Sequence, residues 1–136
     1  MEKLLHYVWM HKLLPSRTLK TTDGTEVEVM DPGQHNGNQG PDLLNARIKA
    51  GGIVWAGNVE IHTCSSDWNR HKHHTDPVYN TTILHVVEHA DAEIRTQSGQ
   101  TVPQVTIAIP QEVKDNYEEL LRTTDYPRCH KFVRGI

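Results

Sequence analysis

Hydrophobic residues in the first part of the chain recur at the spacing of an amphipathic helix. They fall three or four positions apart between Glu2 and about Leu14, and Pro15 ends the pattern. Val27 and Val29 then alternate with acidic residues, which is typical of a half-buried strand. The following polar segment, Gln34 to Gly40, contains no apolar side chain and favours a loop.

The strongest strand signal lies in the middle of the chain. Apolar residues alternate from Leu44 to Ile48, a Gly51-Gly52 turn follows, and a second alternating run extends from Ile53 to His62. This pattern predicts a β-hairpin. In its second strand the odd positions are mostly apolar, whereas Asn58, Glu60, His62 and Cys64 share the opposite face. One face is therefore expected to pack and the other to carry chemistry.

Four further elements are predicted in the second half. They are a short helix from Ser65 to His74, a central strand from Thr81 to His89, a second hairpin from Glu93–Thr96 and Val102–Ile109, and a helix from Gln111 to Arg122. The whole pattern predicts one α+β domain over residues 1–136, with a mixed central sheet. The tail from Thr123 ends without a stop signal, so we expect the chain to be the amino-terminal part of a longer protein.

Charge and composition indicate which kinds of partner, such as nucleic acid or a membrane, the chain could bind. Fourteen basic and seventeen acidic residues give a net charge of −3, which argues against a general electrostatic attraction to nucleic acid but leaves a local basic face open. No apolar run approaches the roughly 20 residues of a membrane span, and no secretory signal is present. We therefore expect a cytoplasmic protein without a membrane partner, in which Cys64 and Cys129 remain thiols.

Histidine is unusually frequent and locally concentrated. The chain has ten histidines, and six of them fall between residues 62 and 89. Imidazole binds metals and changes charge near neutral pH, so such a concentration indicates a candidate site. The six are His62, His71, His73, His74, His85 and His89.

Two short motifs resemble the PD-(D/E)XK nuclease superfamily. They are Pro41-Asp42 and, after seventeen intervening residues, Glu60-Ile61-His62 on a predicted strand. The predicted order helix, strand, strand, strand, helix, strand also matches that superfamily's core. The resemblance implies that Asp42 and Glu60 bind Mg²⁺ or Mn²⁺, which would polarise a phosphate and activate water. His62 stands where that superfamily ordinarily has lysine, so its charge and reach differ.

The histidine-rich segment that follows is similar to a region of the very short patch repair endonuclease. The similar residues are His62, Trp68, His71, His73 and His74, although their spacing differs. This resemblance implies a histidine that acts as a general base or orients water. In a sheet ordered as in these nucleases, His85 would lie beside the third strand and approach Glu60.

The chain as a whole resembles the bacterial family called domain of unknown function 2851. The resemblance is carried by VMDPGQHNGNQGPDLLNARI, WAGNVEIHTCSSDW, HKHHTDPVYN and ILHVVEHADAEI, and covers nearly all residues. Members of that family are longer, so the resemblance implies that this chain corresponds to their amino-terminal part. It implies no activity.

Each candidate residue also has a purely structural interpretation. Asp42 follows Gly40-Pro41 and could simply cap a turn. His73 could belong to a solvated helix end, and His85 could be a core histidine with one hydrogen bond. Glu60 is harder to explain in this way, because a carboxylate in mid-strand is costly if it is buried and unpaired.

Three functions remain open at this stage. The first is a metal-dependent phosphodiesterase or nuclease acting on nucleic acid. Its catalytic residues would be Asp42, Glu60, His62, His71 and His85, its metal ligands Asp42 and Glu60, and its substrate-binding residues Asn36, Asn38, Arg47 and Arg70. The second is a zinc site built from His62, Cys64, His71 and either His73 or His74. The third is a non-catalytic interaction module that retains the fold.

Overall fold

A mixed sheet of seven strands organises the computed structural model, which describes residues 2–11, 18–109, 111–112 and 114–116. Two continuous α-helices and two 3₁₀ turns accompany the sheet within the described residues. The helices are α1 (Glu2–Met10) and α2 (Asp67–Arg70), and the turns span His73–Thr75 and Pro77–Tyr79. The strands are β1 (Thr18–Lys20), β2 (Glu26–Asp31), β3 (Gln34–His35), β4 (Leu43–Ala50), β5 (Ile53–Cys64), β6 (Thr82–His89) and β7 (Gln104–Thr106).

The strand order is β1-β2-β4-β5-β6-β7, and β3 pairs with β4 away from this path. Neighbours from β1 to β5 are antiparallel, whereas β5–β6 and β6–β7 are parallel. A parallel pair needs a crossover connection, and α2 with the two 3₁₀ turns supplies it between β5 and β6. The mixed α+β fold class is confirmed, and so is the order α1, β2, β4, β5, α2, β6.

The hairpin of β4 and β5 forms as predicted. Gly51 and Gly52 connect the strands with φ angles of 59° and 79°, which a hairpin turn of this hand requires. The expectation that the odd positions of β5 pack is wrong at its start, where Ile53 and Trp55 are 57% and 49% exposed. The reason is that pairing with β6 begins only at Asn58, so the hairpin extends beyond its neighbour.

The main core lies between α1 and the sheet. The buried face of α1 packs against strands β2, β4, β5 and β6, which removes apolar surface from water. Trp9 also donates a hydrogen bond from Nε1 to the Pro32 carbonyl oxygen at 3.0 Å. The fully or nearly fully buried residues of this core include Leu4, Leu5, Val8, Trp9, Val27, Leu43, Val59, Ile61, Leu84, Val86 and Val105.

The two ends of the sheet are linked by a short contact. An antiparallel bridge pairs Thr21, just after β1, with Val105 of β7. Beside it, the Thr22 amide donates to the Gln104 carbonyl oxygen at 2.9 Å. The last strand is therefore held on both sides, by β6 and by the segment after β1.

Several predicted boundaries change in the structure. α1 ends at Met10, and residues 12–14 of the predicted helix lie outside the described residues. The predicted 34–40 loop begins with β3, which pairs with the start of β4. The predicted helix of residues 65–74 is divided, because α2 ends before Lys72, which has a left-handed φ of 61°.

The second half differs in a similar way. The second hairpin is reduced to a bridge between Arg95 and Thr101, and its later part continues as β7 beside β6. Of the predicted 111–122 helix, residues 111–112 and 114–116 are helical and the others lie outside the described residues. None of the described helices has the length and apolar character needed to cross a membrane.

Gly57 tests how closely β5 and β6 pack. A methyl group at this position would overlap the Ile83 side chain and lie 3.1 Å from the Thr81 carbonyl oxygen. We expect Gly57→Ala to lower the free energy of unfolding by about 1–3 kcal/mol, because the added carbon overpacks the site. Urea denaturation measures this. Gly37→Ala is the control, since nothing lies within 4 Å of its added carbon, and should change stability by less than about 0.5 kcal/mol.

Candidate functional site

The sheet brings the predicted acidic residues to one place. Asp42 immediately precedes β4, Glu60 and His62 lie in β5, and His85 lies in β6. The parallel register pairs Glu60 with His85, and the antiparallel register pairs the start of β4 with Val59. Residues that are distant in sequence therefore meet because of strand pairing.

The carboxyl groups of Asp42 and Glu60 each accept a hydrogen bond from a backbone amide of the neighbouring segment. The Asp42 amide donates to Glu60 Oε1 at 3.0 Å, and the Ile61 amide donates to Asp42 Oδ2 at 2.8 Å. His6 of α1 approaches the same Asp42 oxygen at 3.5 Å. The Glu60 side chain is only 4% exposed, whereas that of Asp42 is 29% exposed. The two carboxyl groups thus lie on the same side of the sheet, and Asp42 reaches solvent.

The second oxygen of Glu60 faces two imidazoles. Oε2 lies 2.7 Å from His73 Nε2 and 3.4 Å from His62 Nε2. Burial raises the pKa of Glu60 to about 10, and the charge of Asp42 and a hydrogen bond between the two carboxyl groups act in the same direction. Burial and the neighbouring Asp42 carboxyl group therefore favour the protonated form of Glu60, which can donate to an imidazole nitrogen.

Three histidines gather next to this carboxyl group. A ring nitrogen from each of His62, His71 and His73 lies within 4.8 Å of the others. Burial lowers the pKa of His62 well below its usual value and that of His73 to about 4, and the neighbouring histidines contribute in both cases. His62 and His73 are buried and His71 is exposed. The cluster therefore offers unprotonated nitrogen atoms at neutral pH and opens to solvent at His71.

The backbone reversal at Lys72 brings His73 into the cluster. After α2 the left-handed Lys72 turns the chain, and His73 returns toward β5. Its ring stacks on Tyr79 with a centroid distance of 3.7 Å and meets the edge of Trp68 at 5.3 Å. The alternative in which His73 belongs to a solvated helix end is wrong, because its side chain is only 10% exposed and contacts Glu60.

His85 reaches the site through His62. His85 is fully buried, and its Nε2 lies 2.7 Å from His62 Nδ1. Its other nitrogen, Nδ1, lies 2.9 Å from Gln104 Oε1 of β7. Sequence reasoning did not find Gln104, because no local pattern indicates that β7 pairs with β6.

Glu2 is a third carboxyl group that sequence reasoning missed. It lies in the first turn of α1, and burial raises its pKa to about 7, with further contributions from Asp42 and Asp67. The positive charge of Arg70 acts in the opposite direction. The signal that could have found Glu2 is its position in a helix whose apolar face must pack on the sheet beside the site.

Two donor sets of different chemistry are therefore adjacent. Carboxylate oxygens are the ligands that Mg²⁺ and Mn²⁺ prefer, and Asp42 with Glu60 fits these ions. Imidazole nitrogens suit zinc and related cations, and His62, His71 and His73 fit those. Glu60 adjoins both sets, since one oxygen faces Asp42 and the other faces the histidines.

Comparison with known proteins provides a family. The family model described as a protein of unknown function, DUF2851, matches residues 2–136. The chain belongs to the DUF2851 family. No match was found among curated proteins or among solved structures. The predicted family is thereby confirmed, whereas the nuclease-type core and activity stay predictions.

The residues predicted to bind substrate have varied positions in this DUF2851 chain. Asn36 stabilises the loop before Asp42, because its Nδ2 donates to the carbonyl oxygens of Gln39 and Pro41 and its Oδ1 accepts from the Asn38 amide. Arg47 is exposed on β4. Arg70 is 46% exposed and donates to Asp67 at 2.8 Å.

Cys64 and His74 differ from the zinc set predicted for the DUF2851 chain. Cys64 is fully buried and disulfide-bonded, so the expectation of a thiol is wrong at this position; Cys129 lies outside the described residues. A disulfide sulfur is not the thiolate that zinc requires. His74 is exposed and lies outside the group formed by His62, His71 and His73.

The raised pKa of Glu60 makes stability depend on pH. The folded protein holds this proton more tightly than the unfolded chain does. The stabilisation that Glu60 contributes is therefore fully present below the ordinary pKa of glutamate and is lost as pH rises toward about 10. Glu60→Gln mimics the protonated acid. Without metal, we expect the wild type to lose about 1 kcal/mol per pH unit relative to this variant between about pH 6 and pH 9.

Urea denaturation in the presence of a chelator measures this difference. Glu93→Gln is the matched control, because the Glu93 side chain is 69% exposed. Its stability should follow that of the wild type across the pH range. Parallel pH curves for wild type and Glu60→Gln would show that Glu60 is ionised in the folded protein.

Proposed function

We propose that this domain is a metal-dependent phosphodiesterase that cleaves nucleic acid. The supporting observation is the position of Glu60, whose two oxygens connect Asp42 on one side with His73 and His62 on the other. A carboxyl pair next to unprotonated imidazole provides both metal ligands and a base. The partly exposed Asp42 and the exposed His71 provide access from solvent.

The donor set fits a divalent cation. Asp42 and Glu60 would hold it, and a bound Mg²⁺ or Mn²⁺ would polarise the phosphate and lower the pKa of an attacking water. Glu60 would give up its proton when the ion binds, because two carboxylates are stable side by side only when a positive charge offsets theirs. Metal affinity should therefore increase with pH.

His62 takes the position that lysine holds in the nuclease pattern, with a different role. A buried, neutral imidazole supplies no positive charge, but its free nitrogen can accept a proton from water. His71 is exposed and lies at the solvent side of the cluster, where it can contact the substrate. His85 contacts His62 and would act through it.

The charges of the domain favour contact with a phosphate through the metal. The net charge is −3, and the pair formed by Asp42 and Glu60 offers a phosphate no positive charge until a cation is bound. The charge of Arg70 partly offsets that of Glu2, and Arg47 is exposed on β4. These arginines are the proposed phosphate contacts, and their small number implies a shallow dependence of binding on salt.

The imidazole cluster supports a second candidate, a zinc centre. Ring nitrogens of His62, His71 and His73 lie within 4.8 Å of one another, so they could bind one ion. Glu60 would complete a set of four donors. Three protein nitrogens and a carboxylate are a common combination for this ion. Such a centre would serve either hydrolysis or stability, and in the latter case the domain would be a non-catalytic interaction module.

Cleavage assays test the proposed phosphodiesterase. Single-stranded and double-stranded DNA and RNA should be cut in the presence of Mg²⁺, Mn²⁺ or Zn²⁺, and chelation should stop the reaction. Glu60→Gln should abolish cleavage, because it removes a shared metal ligand without a change of shape. Glu93→Gln should retain full activity, since its side chain is exposed and paired with Arg95. Absence of cleavage of every substrate by the wild type, with the fold intact by circular dichroism, would refute the proposal.

A pair of adjacent histidines tests the zinc candidate. His73 contacts Glu60 and belongs to the cluster, whereas His74 is exposed and lies outside it. We expect His73→Gln to weaken Zn²⁺ binding at least tenfold and His74→Gln to leave it unchanged, as measured by competition with a chromophoric chelator. Equal affinities of the two variants would show that the cluster does not bind zinc.

A further inference from the structure

A buried chain of hydrogen bonds connects β7 to the candidate metal site. It begins at the Ala92 carbonyl oxygen, passes through the Gln104 side-chain amide and the His85 ring, and ends at His62. The three distances are 2.7, 2.9 and 2.7 Å. Gln104, His85 and His62 are at most 4% exposed, so water does not compete for these contacts.

The Ala92 carbonyl determines the direction of every bond in this chain. A carbonyl oxygen only accepts, so the amide nitrogen of Gln104 must face it and the amide oxygen must face His85. His85 therefore carries its proton on Nδ1. The opposite direction would place two oxygens, those of Gln104 and Ala92, against each other at 2.7 Å.

The same logic continues to His62. A neutral His85 with its proton on Nδ1 has a lone pair on Nε2, which must accept from His62 Nδ1. His62 then has no proton on Nε2, the nitrogen that lies 3.4 Å from Glu60 Oε2. Both rings are at most 2% exposed, and burial of this degree disfavours the charged imidazolium form.

We propose that Gln104 is a positioning residue that acts through His85 to hold His62 with its Nε2 lone pair directed at the metal site, as a ligand for a zinc-class cation. This rests on the metal centre proposed above and does not depend on the identity of the substrate. In metal-binding histidines, the ring nitrogen that does not bind the metal usually donates a hydrogen bond to a fixed acceptor. This bond orients the ring and selects the tautomer. Here that acceptor is another histidine, whose own tautomer is set by Gln104.

Imidazole ¹⁵N NMR of the metal-free, full 136-residue chain tests the tautomers directly. Long-range ¹H–¹⁵N correlations distinguish a proton on Nδ1 from one on Nε2. Both His62 and His85 should carry it on Nδ1. A proton on Nε2 of either ring in the folded protein would overturn the proposal, whatever the variants below show.

Variants of Gln104 test the effect on metal binding. Gln104→Leu removes the acceptor for His85 and should weaken Zn²⁺ binding about tenfold or more in chelator competition. Gln104→Glu in its protonated form, which burial favours, keeps an acceptor for His85 and a donor for the Ala92 carbonyl oxygen, and should restore most of the affinity. Thr63→Val is the control, because Thr63 neighbours His62, is also buried, and has a hydroxyl group that lacks a hydrogen-bond partner among the described residues.

The outcomes separate this proposal from the proposed activity. A wild-type chain that binds no Zn²⁺, or a folded Gln104→Leu variant that binds it as tightly as Thr63→Val, overturns the positioning role. Loss of Zn²⁺ affinity in Gln104→Leu with rescue in Gln104→Glu supports it, even if no nucleic acid is cleaved. If Gln104→Leu fails to fold, the tautomers of the wild type still decide.

Discussion

The buried carboxyl group of Glu60 is the constraint on which the rest of the site depends. A carboxyl group without partners in an apolar interior is costly, and β5 is buried on both faces at this point. The Asp42 amide satisfies one oxygen and His73 satisfies the other. The loop before β4 and the turn after α2 must therefore both close over β5 before the domain is well packed.

Each of these segments has its own means of reaching Glu60. The loop before β4 is held by the Asn36 side chain, whose amide nitrogen donates two hydrogen bonds to carbonyl oxygens within the loop. The turn after α2 depends on the left-handed backbone of Lys72 and on the stacking of His73 against Tyr79. Polar residues that resemble a substrate-binding set in sequence thus serve the placement of the acids, which is itself a functional role.

Local patterns predicted the part of the site that lies on the central hairpin. The alternation of β5 placed Glu60 and His62 on one face, and the turn between β4 and β5 brought Asp42 near them. Longer-range contacts were beyond such reasoning. Gln104 enters through the parallel pairing of β7 with β6, and His73 enters because α2 ends early, so neither has a local signature.

The same limit explains the errors in burial. The period of two in β5 indicates two faces but not what covers each of them, and the covering strand β6 is supplied by a distant part of the chain. Trp55 is therefore half exposed at the hairpin end, whereas Glu60 and His62 are buried farther along the same strand. Periodicity describes a strand, and its neighbours decide which positions are inside.

The segment that follows β1 contacts β7, and this contact connects the amino-terminal strands to the histidine cluster. The Thr22 amide holds the main chain of Gln104, the residue whose side chain orients His85. A displacement of this peripheral segment would thus move the buried Gln104 oxygen that faces His85. Residues whose sequence suggests only an ordinary surface turn are, in the folded molecule, the outer anchor of its buried imidazoles.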